Sequence, residues 1–224
     1  SLIGAISVIY GAVLTIRQTD LKRLIAFSSV SHMGYIILGI SSYNAYSNLG
    51  SSEGLGVTAL QLFTHGTITG LAFYLVGLTY ERTHTRHIPH LGGLAIKMPL
   101  IGTFFVIAGF ASLGLPGLSG FVAELMIFVG TFKLGCLWAF STILSVFGVV
   151  LAAGYTLWMI QRSFLGSGVS NDSPVAKEYD NLNDMDKIEL AGAVILTITI
   201  VAVGVYPSIV TDLFNIGIGE VFSR

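Results

Sequence analysis

A single cysteine, Cys136, leaves this chain no way to form an internal disulfide framework or, by itself, a cysteine-built metal or iron–sulfur site. Charge is scarce as well. Asp, Glu, Lys and Arg make up 10% of the residues, against about 25% in soluble domains, so the chain cannot cover itself with a polar surface in water. The net charge of -1 argues against nucleic acid as a partner. No basic segment and small-residue cleavage site open the sequence, so no signal peptide is expected. Ser1 already stands at the edge of an apolar run, as it would in a truncation, a split gene or a processed product.

What the chain has is hydrophobic length. Over half of its residues (53%) are hydrophobic and its mean hydropathy is +0.80. The runs are continuous rather than alternating, which predicts an all-α polytopic membrane protein. With about 20 apolar residues needed per span, the runs fall at about 2–16, 24–40, 56–80, 98–132, 137–164 and 188–210. The fourth would reach about 50 Å as one straight helix, too long for one upright span. It holds Gly114, Pro116 and Gly117, which predict a break near 114–117. The expectation is six transmembrane helices in one domain, the fourth discontinuous. Positive residues cluster in alternate connections: Arg17, Lys22 and Arg23; then Arg82, Arg86 and Lys97; then Arg162, Lys177 and Lys187. Those loops are expected to face the cytoplasm or matrix, which puts both chain ends on the opposite side. Residues 167–186 form the one long polar stretch and are expected to be an inside-facing surface loop.

Ionisable groups near mid-membrane are costly and mark function. Three qualify: His32 in SSVSHMGY, His65 in LQLFTHGTITG and Glu124 just after the break. A lone membrane histidine also serves as a packing group hydrogen-bonded to a neighbouring helix, and a lone glutamate could cap backbone N–H groups freed by Pro116. Three such groups at similar depth on successive spans favour a path for protons along bridging waters. A helix broken at mid-membrane suits that role, because its free ends line hydrated cavities in transporters. His84, His87 and His90 have a spacing that could suit a metal, but they lie in a basic loop with no carboxylate or cysteine to complete a shell. Lys133 is a candidate accessory exit group or a snorkelling interfacial lysine. Cys136 reads as a packing residue. Lys22 and Arg23 set topology.

The strings IRQTDLKRLIAFSSVSHMGY, LFTHGTITGLAFYLVG, YERTHTRHIPHLGGLAIKMP and GLPGLSGFVAELMIF together resemble the antiporter-like subunits of proton-pumping NADH:quinone oxidoreductase (respiratory complex I). The resemblance runs from Ser1 to about Phe164. It is strongest to the subunit-4, or M-type, chains, which place a glutamate where related subunits place a lysine; here that position is Glu124. It implies one five-helix antiporter-type repeat plus a final helix, with the companion inverted repeat on a segment this chain does not contain. It further implies that His32, His65 and Glu124 form a proton relay along a hydrophilic axis. The family's glutamate–lysine pair and central lysine have no counterpart here, so a second segment would have to supply the N-terminal helices. No cofactor is expected in this chain, while the whole complex would use NADH, FMN, iron–sulfur clusters and quinone. Other membrane-arm subunits and the lipid bilayer of a mitochondrial inner or bacterial cytoplasmic membrane would be its surroundings. The alternatives are a subunit of a multi-subunit sodium/proton antiporter, a subunit of a ferredoxin-linked relative or membrane hydrogenase, or a purely structural subunit, against which the three titratable groups argue.

Overall fold

A computed structural model describes residues 1–42, 53–166, 168–169, 173–177 and 179–222. Among them are eight α-helices and no strands: α1 Leu2–Ile16, α2 Leu21–Ser41, α3 Glu53–Thr83, α4 Pro99–Ser112, α5 Ser119–Phe132, α6 Cys136–Ser163, α7 Lys187–Val205 and α8 Ser208–Phe222. Four of these (α2, α3, α6 and α7) are long and apolar enough to cross a membrane. The fold is all-helical, and apolar side chains such as Ile3, Phe147, Val150 and Ile195 stand on its outer surface, where a bilayer rather than water is the compatible solvent.

Local chemistry sets the helix starts. Asp20 caps α2 by accepting from the Arg23 N–H at 2.9 Å. Asp186 and Glu189 form a capping box at the start of α7. Pro99 occupies the first turn of α4, where its missing N–H costs nothing. Helix α3 lies at the centre, in contact with α2, α4, α5, α7 and α8. Close approach of α1 to α2 depends on Gly11, since a Cβ there would fall 2.5 Å from the Ser31 backbone nitrogen. Across that crossing, Ser31 Oγ donates to the Val8 carbonyl at 2.9 Å, the small-residue and hydroxyl contact that holds membrane helices together.

The long fourth run divides into α4 and α5. Leu113 ends α4, Gly114 and Gly117 take φ of +69° and +93°, and the chain turns through Pro116. The two half-helices meet again because α5 has Gly120 where a Cβ would sit 2.2 Å from the Ala111 carbonyl oxygen. Apolar side chains including Leu71, Leu75, Phe105 and Phe164 fill the core at the basic-loop end. A smaller cluster of Val8, Tyr35, Leu38 and Ile127 fills the other.

Several details differ from the sequence reading. The run drawn to residue 210 ends at Val205, because the residue before a proline is pushed out of the helical region: Tyr206 sits at φ −135°, ψ 77°, and α8 begins after Pro207. The six expected spans, with the fourth in two pieces, gain one further helix, α8, which makes eight helical segments among the described residues. Cys136 is exposed at the first position of α6 instead of packed in the interior. The connection Ser41–Leu55 holds no Lys or Arg, and its residues 43–52 lie outside the described residues.

The described part of the 167–186 loop is fastened to the 84–98 connection rather than free. Ser173 Oγ donates to the His90 carbonyl at 2.7 Å, and the Tyr179 hydroxyl to the Gly93 carbonyl at 2.8 Å. Lys97 pairs with Asp180 at 2.9 Å, and Asp184 caps α4 by accepting from the Leu100 N–H at 2.7 Å. Arg82 joins the same network, donating to the Asn183 and Asp184 carbonyls and to Glu189.

Candidate functional site

His32 comes from α2, His65 from α3 and Glu124 from the second half of the broken helix, and the fold brings all three together. Each is nearly inaccessible, at 4%, 6% and 5% exposure. His32 Nδ1 lies 3.2 Å from Glu124 Oε1. The His32 and His65 rings are 5.2 Å apart, centroid to centroid, with their planes tilted by 31°. Gly114 belongs to the same arrangement, for a Cβ there would stand 3.0 Å from Glu124 Oε2. The break thus serves Glu124 directly, leaving room for its carboxylate. Among the described residues no backbone N–H donates to Glu124, so its polar partner is His32 rather than the freed turn of the helix.

These groups line a cavity of about 10 Å³ with Gln61, Thr64, Ile68, Ala111, Ser112 and Gly120, about the space of one water. Two of its walls carry polar atoms that the sequence reading did not single out. Ser112 Oγ lies 3.2 Å from His32 Nε2, so both ring nitrogens of His32 are engaged. Gln61 is buried, and among the described residues its Oε1 has no hydrogen-bond partner. Neutral hydroxyl and amide side chains are common in membrane helices, so neither residue stands out in a search for charges.

The other sequence candidates lie elsewhere. Lys133 follows the end of α5, away from the histidines, where it borders an outer cavity of about 400 Å³ with Ser42, Thr131 and Gly39. In the basic loop, the His87 and His90 rings are 4.7 Å apart, and the backbone of His87 bridges Asp20. Among the described residues no group of three His, Cys, Asp or Glu is placed to hold a metal. Chemically, the central site joins a carboxylate to an imidazole whose other nitrogen meets a hydroxyl, with a second imidazole in ring contact. Such a set can bind, hold and pass on protons.

Known proteins carry the same chain pattern. Residues 1–152 match the family described as NADH:quinone oxidoreductase/Mrp antiporter, TM. NAD(P)H-quinone oxidoreductase chain 4 1 of Synechococcus sp. (strain JA-3-3Ab) is 37% identical over 96% of this chain and 40% of its own length. The chain 4 protein of Gloeobacter violaceus (strain ATCC 29082 / PCC 7421) is 39% identical over 95% of this chain and 39% of its own. A chain in the structure described as respiratory complex I from Thermus thermophilus with bound NADH superposes with a TM-score of 0.80 at 30% identity, covering 93% of this chain and 40% of that one. This chain spans about 40% of the length of the relatives it matches. On the profile match and on these relatives, it belongs to the transmembrane NADH:quinone oxidoreductase/Mrp antiporter family.

Proposed function

We propose that this chain is part of a proton-translocating, antiporter-like membrane-arm subunit of an NADH:quinone oxidoreductase, of the kind named chain 4 among its relatives. Quinone reduction elsewhere in the assembly drives proton transfer through His32, His65 and Glu124. The observation that carries this reading is the buried His32–Glu124 pair, 3.2 Å apart beside His65 at a helix break. An isolated charge in such a place costs several kcal/mol, and a paired acid and base of this kind is a natural proton store. Glu124 is the releasing group, and Gly114, Pro116 and Gly117 shape the turn that admits it. Lys133, beside the outer cavity, is an accessory group at the exit.

The partners are other membrane-arm subunits, surrounding lipid, and a segment that supplies the helices the relatives have beyond this chain's span. NADH, FMN, iron–sulfur clusters and quinone belong to other subunits in this reading. The basic loops face the cytoplasm or matrix and both described ends face the opposite side, in a bacterial cytoplasmic or mitochondrial inner membrane. The family description also names an antiporter, which supports a second reading: sodium/proton exchange without electron input.

Purification of the native assembly tests the choice. Co-migrating flavin and iron–sulfur subunits support the first reading, and their absence overturns it. Proton transport that requires sodium would favour the second. Glu124→Gln should lower proton translocation by about 10-fold or more with assembly retained. Unchanged translocation would remove Glu124 from the path.

A further inference from the structure

The central cavity shares wall residues with one neighbouring cavity and, among the described residues, none with the cavity beside Lys133. Toward the basic loops lies a cavity of about 30 Å³, lined by Ser28 on α2, Thr69 on α3, Ser112 on α4, and Tyr155 and Thr156 on α6, among apolar side chains. That is room for about two waters. Among the described residues the buried Tyr155 hydroxyl has no well-aligned hydrogen-bond partner. Ser112 and Ile68 line both this cavity and the central one. Among the described residues no side chain lines both the central and the outer cavity. Ile127, one turn beyond Glu124 on α5, lines the outer cavity and belongs to the cluster of Tyr35 and Leu38.

We infer that Ser112 is the hydroxyl relay that passes protons between the cavity on its basic-loop side and the His32–Glu124 pair. The inference rests on the proton-translocating reading above. The geometry sets the order of events. With the His32 Nδ1–H donating to Glu124, Nε2 is left as an acceptor, and the Ser112 hydroxyl is the group placed to donate to it at 3.2 Å. A hydrated proton in the basic-face cavity gives its proton to Ser112 Oγ as Ser112 passes its own to His32 Nε2. One O–H bond breaks on the hydronium and one on the serine; one O–H and one N–H bond form. Water and an unchanged serine remain. The imidazolium then releases its Nδ1 proton to Glu124 Oε1. The ring is left protonated at Nε2, so it must turn over, or return that proton, before the next passage.

Proton translocation per quinone reduced, measured in sealed native-membrane vesicles carrying the assembled complex, tests this. Ser112→Ala should lower it by about 10-fold, while Ser112→Thr, which keeps the hydroxyl, restores most of it. A serine needed only for packing would not distinguish the two by hydroxyl content. Should Ser112→Ala fail to assemble, Ser112→Gly decides in its place, since glycine is tolerated at a helix C-terminus and also lacks the hydroxyl. Normal translocation in the hydroxyl-free variant while Glu124→Gln impairs it overturns the relay but leaves the proton path standing. Normal translocation in both overturns the path itself, and the relay with it.

Discussion

His32 and Glu124 meet at 3.2 Å although they stand on helices from opposite halves of the chain, and that contact ties α2 to the second half of the broken helix. Removing one member leaves the other buried without its partner, at a cost of about 3–5 kcal/mol. His32→Leu should therefore lower the denaturation midpoint of the solubilised assembly, and the double variant His32→Leu with Glu124→Leu should recover most of the loss. A double variant as unstable as the sum of the two singles would mean that the pair has no coupling energy.

Gly114→Ala addresses the break. The residue sits at φ +69°, and its added Cβ would approach Glu124 Oε2 to 3.0 Å. Backbone strain of about 1–2 kcal/mol should leave the complex assembled. Displacing the carboxylate by a fraction of an ångström to an ångström should still slow proton transfer by about 10- to 100-fold. Vesicle acidification compared with quinone reductase rate separates the two effects. Equal losses in both would count against a positional role.

Gly120→Val differs in kind, because its Cβ would lie 2.2 Å from the Ala111 carbonyl oxygen and no flexible side chain is there to yield. The half-helices would be forced apart. The expected result is loss of assembly on native gels, in contrast to Gly114→Ala.

Asp184→Ala tests the loop. It removes the acceptor for the Leu100 and Ile101 N–H groups at the start of α4, a helix cap of about 1 kcal/mol. Faster proteolytic cleavage within 167–186 and a slightly lower melting temperature are expected. Unaltered cleavage would show that the loop is held by its other contacts.

Much of the site was legible in the sequence because of what it costs to put a charge in a membrane. His32, His65 and Glu124 stood out for that reason, and Pro116 with its flanking glycines announced the break. Ser112 and Gln61 did not, since a hydroxyl or an amide can be carried by a membrane helix at little cost and so leaves no mark. Ser112 is marked out only by its contact with His32, which joins α4 to α2, and Gln61 only by its place in the wall of a pocket built from four helices. Pro207 was overlooked for a different reason: it lies inside a run whose hydropathy continues past it, and hydropathy does not register where a backbone must leave the helix. Cys136 was misplaced because an apolar side chain near a helix end can face lipid as readily as the interior.

The cap on α4 has a mechanical consequence. That half-helix is a strut of 14 residues, about 20 Å long. Its near end is gripped by Asp184 in the surface loop, and Ser112 is its last residue. A push on the loop, from a neighbouring subunit or from Arg82 and Glu189 shifting together, would travel down the strut as a rigid displacement. The Ser112–His32 distance is already 3.2 Å, so a shift of well under an ångström is enough to make or part that bond. In such a displacement the loop would act as a handle on the membrane interior, reaching the histidine without touching it.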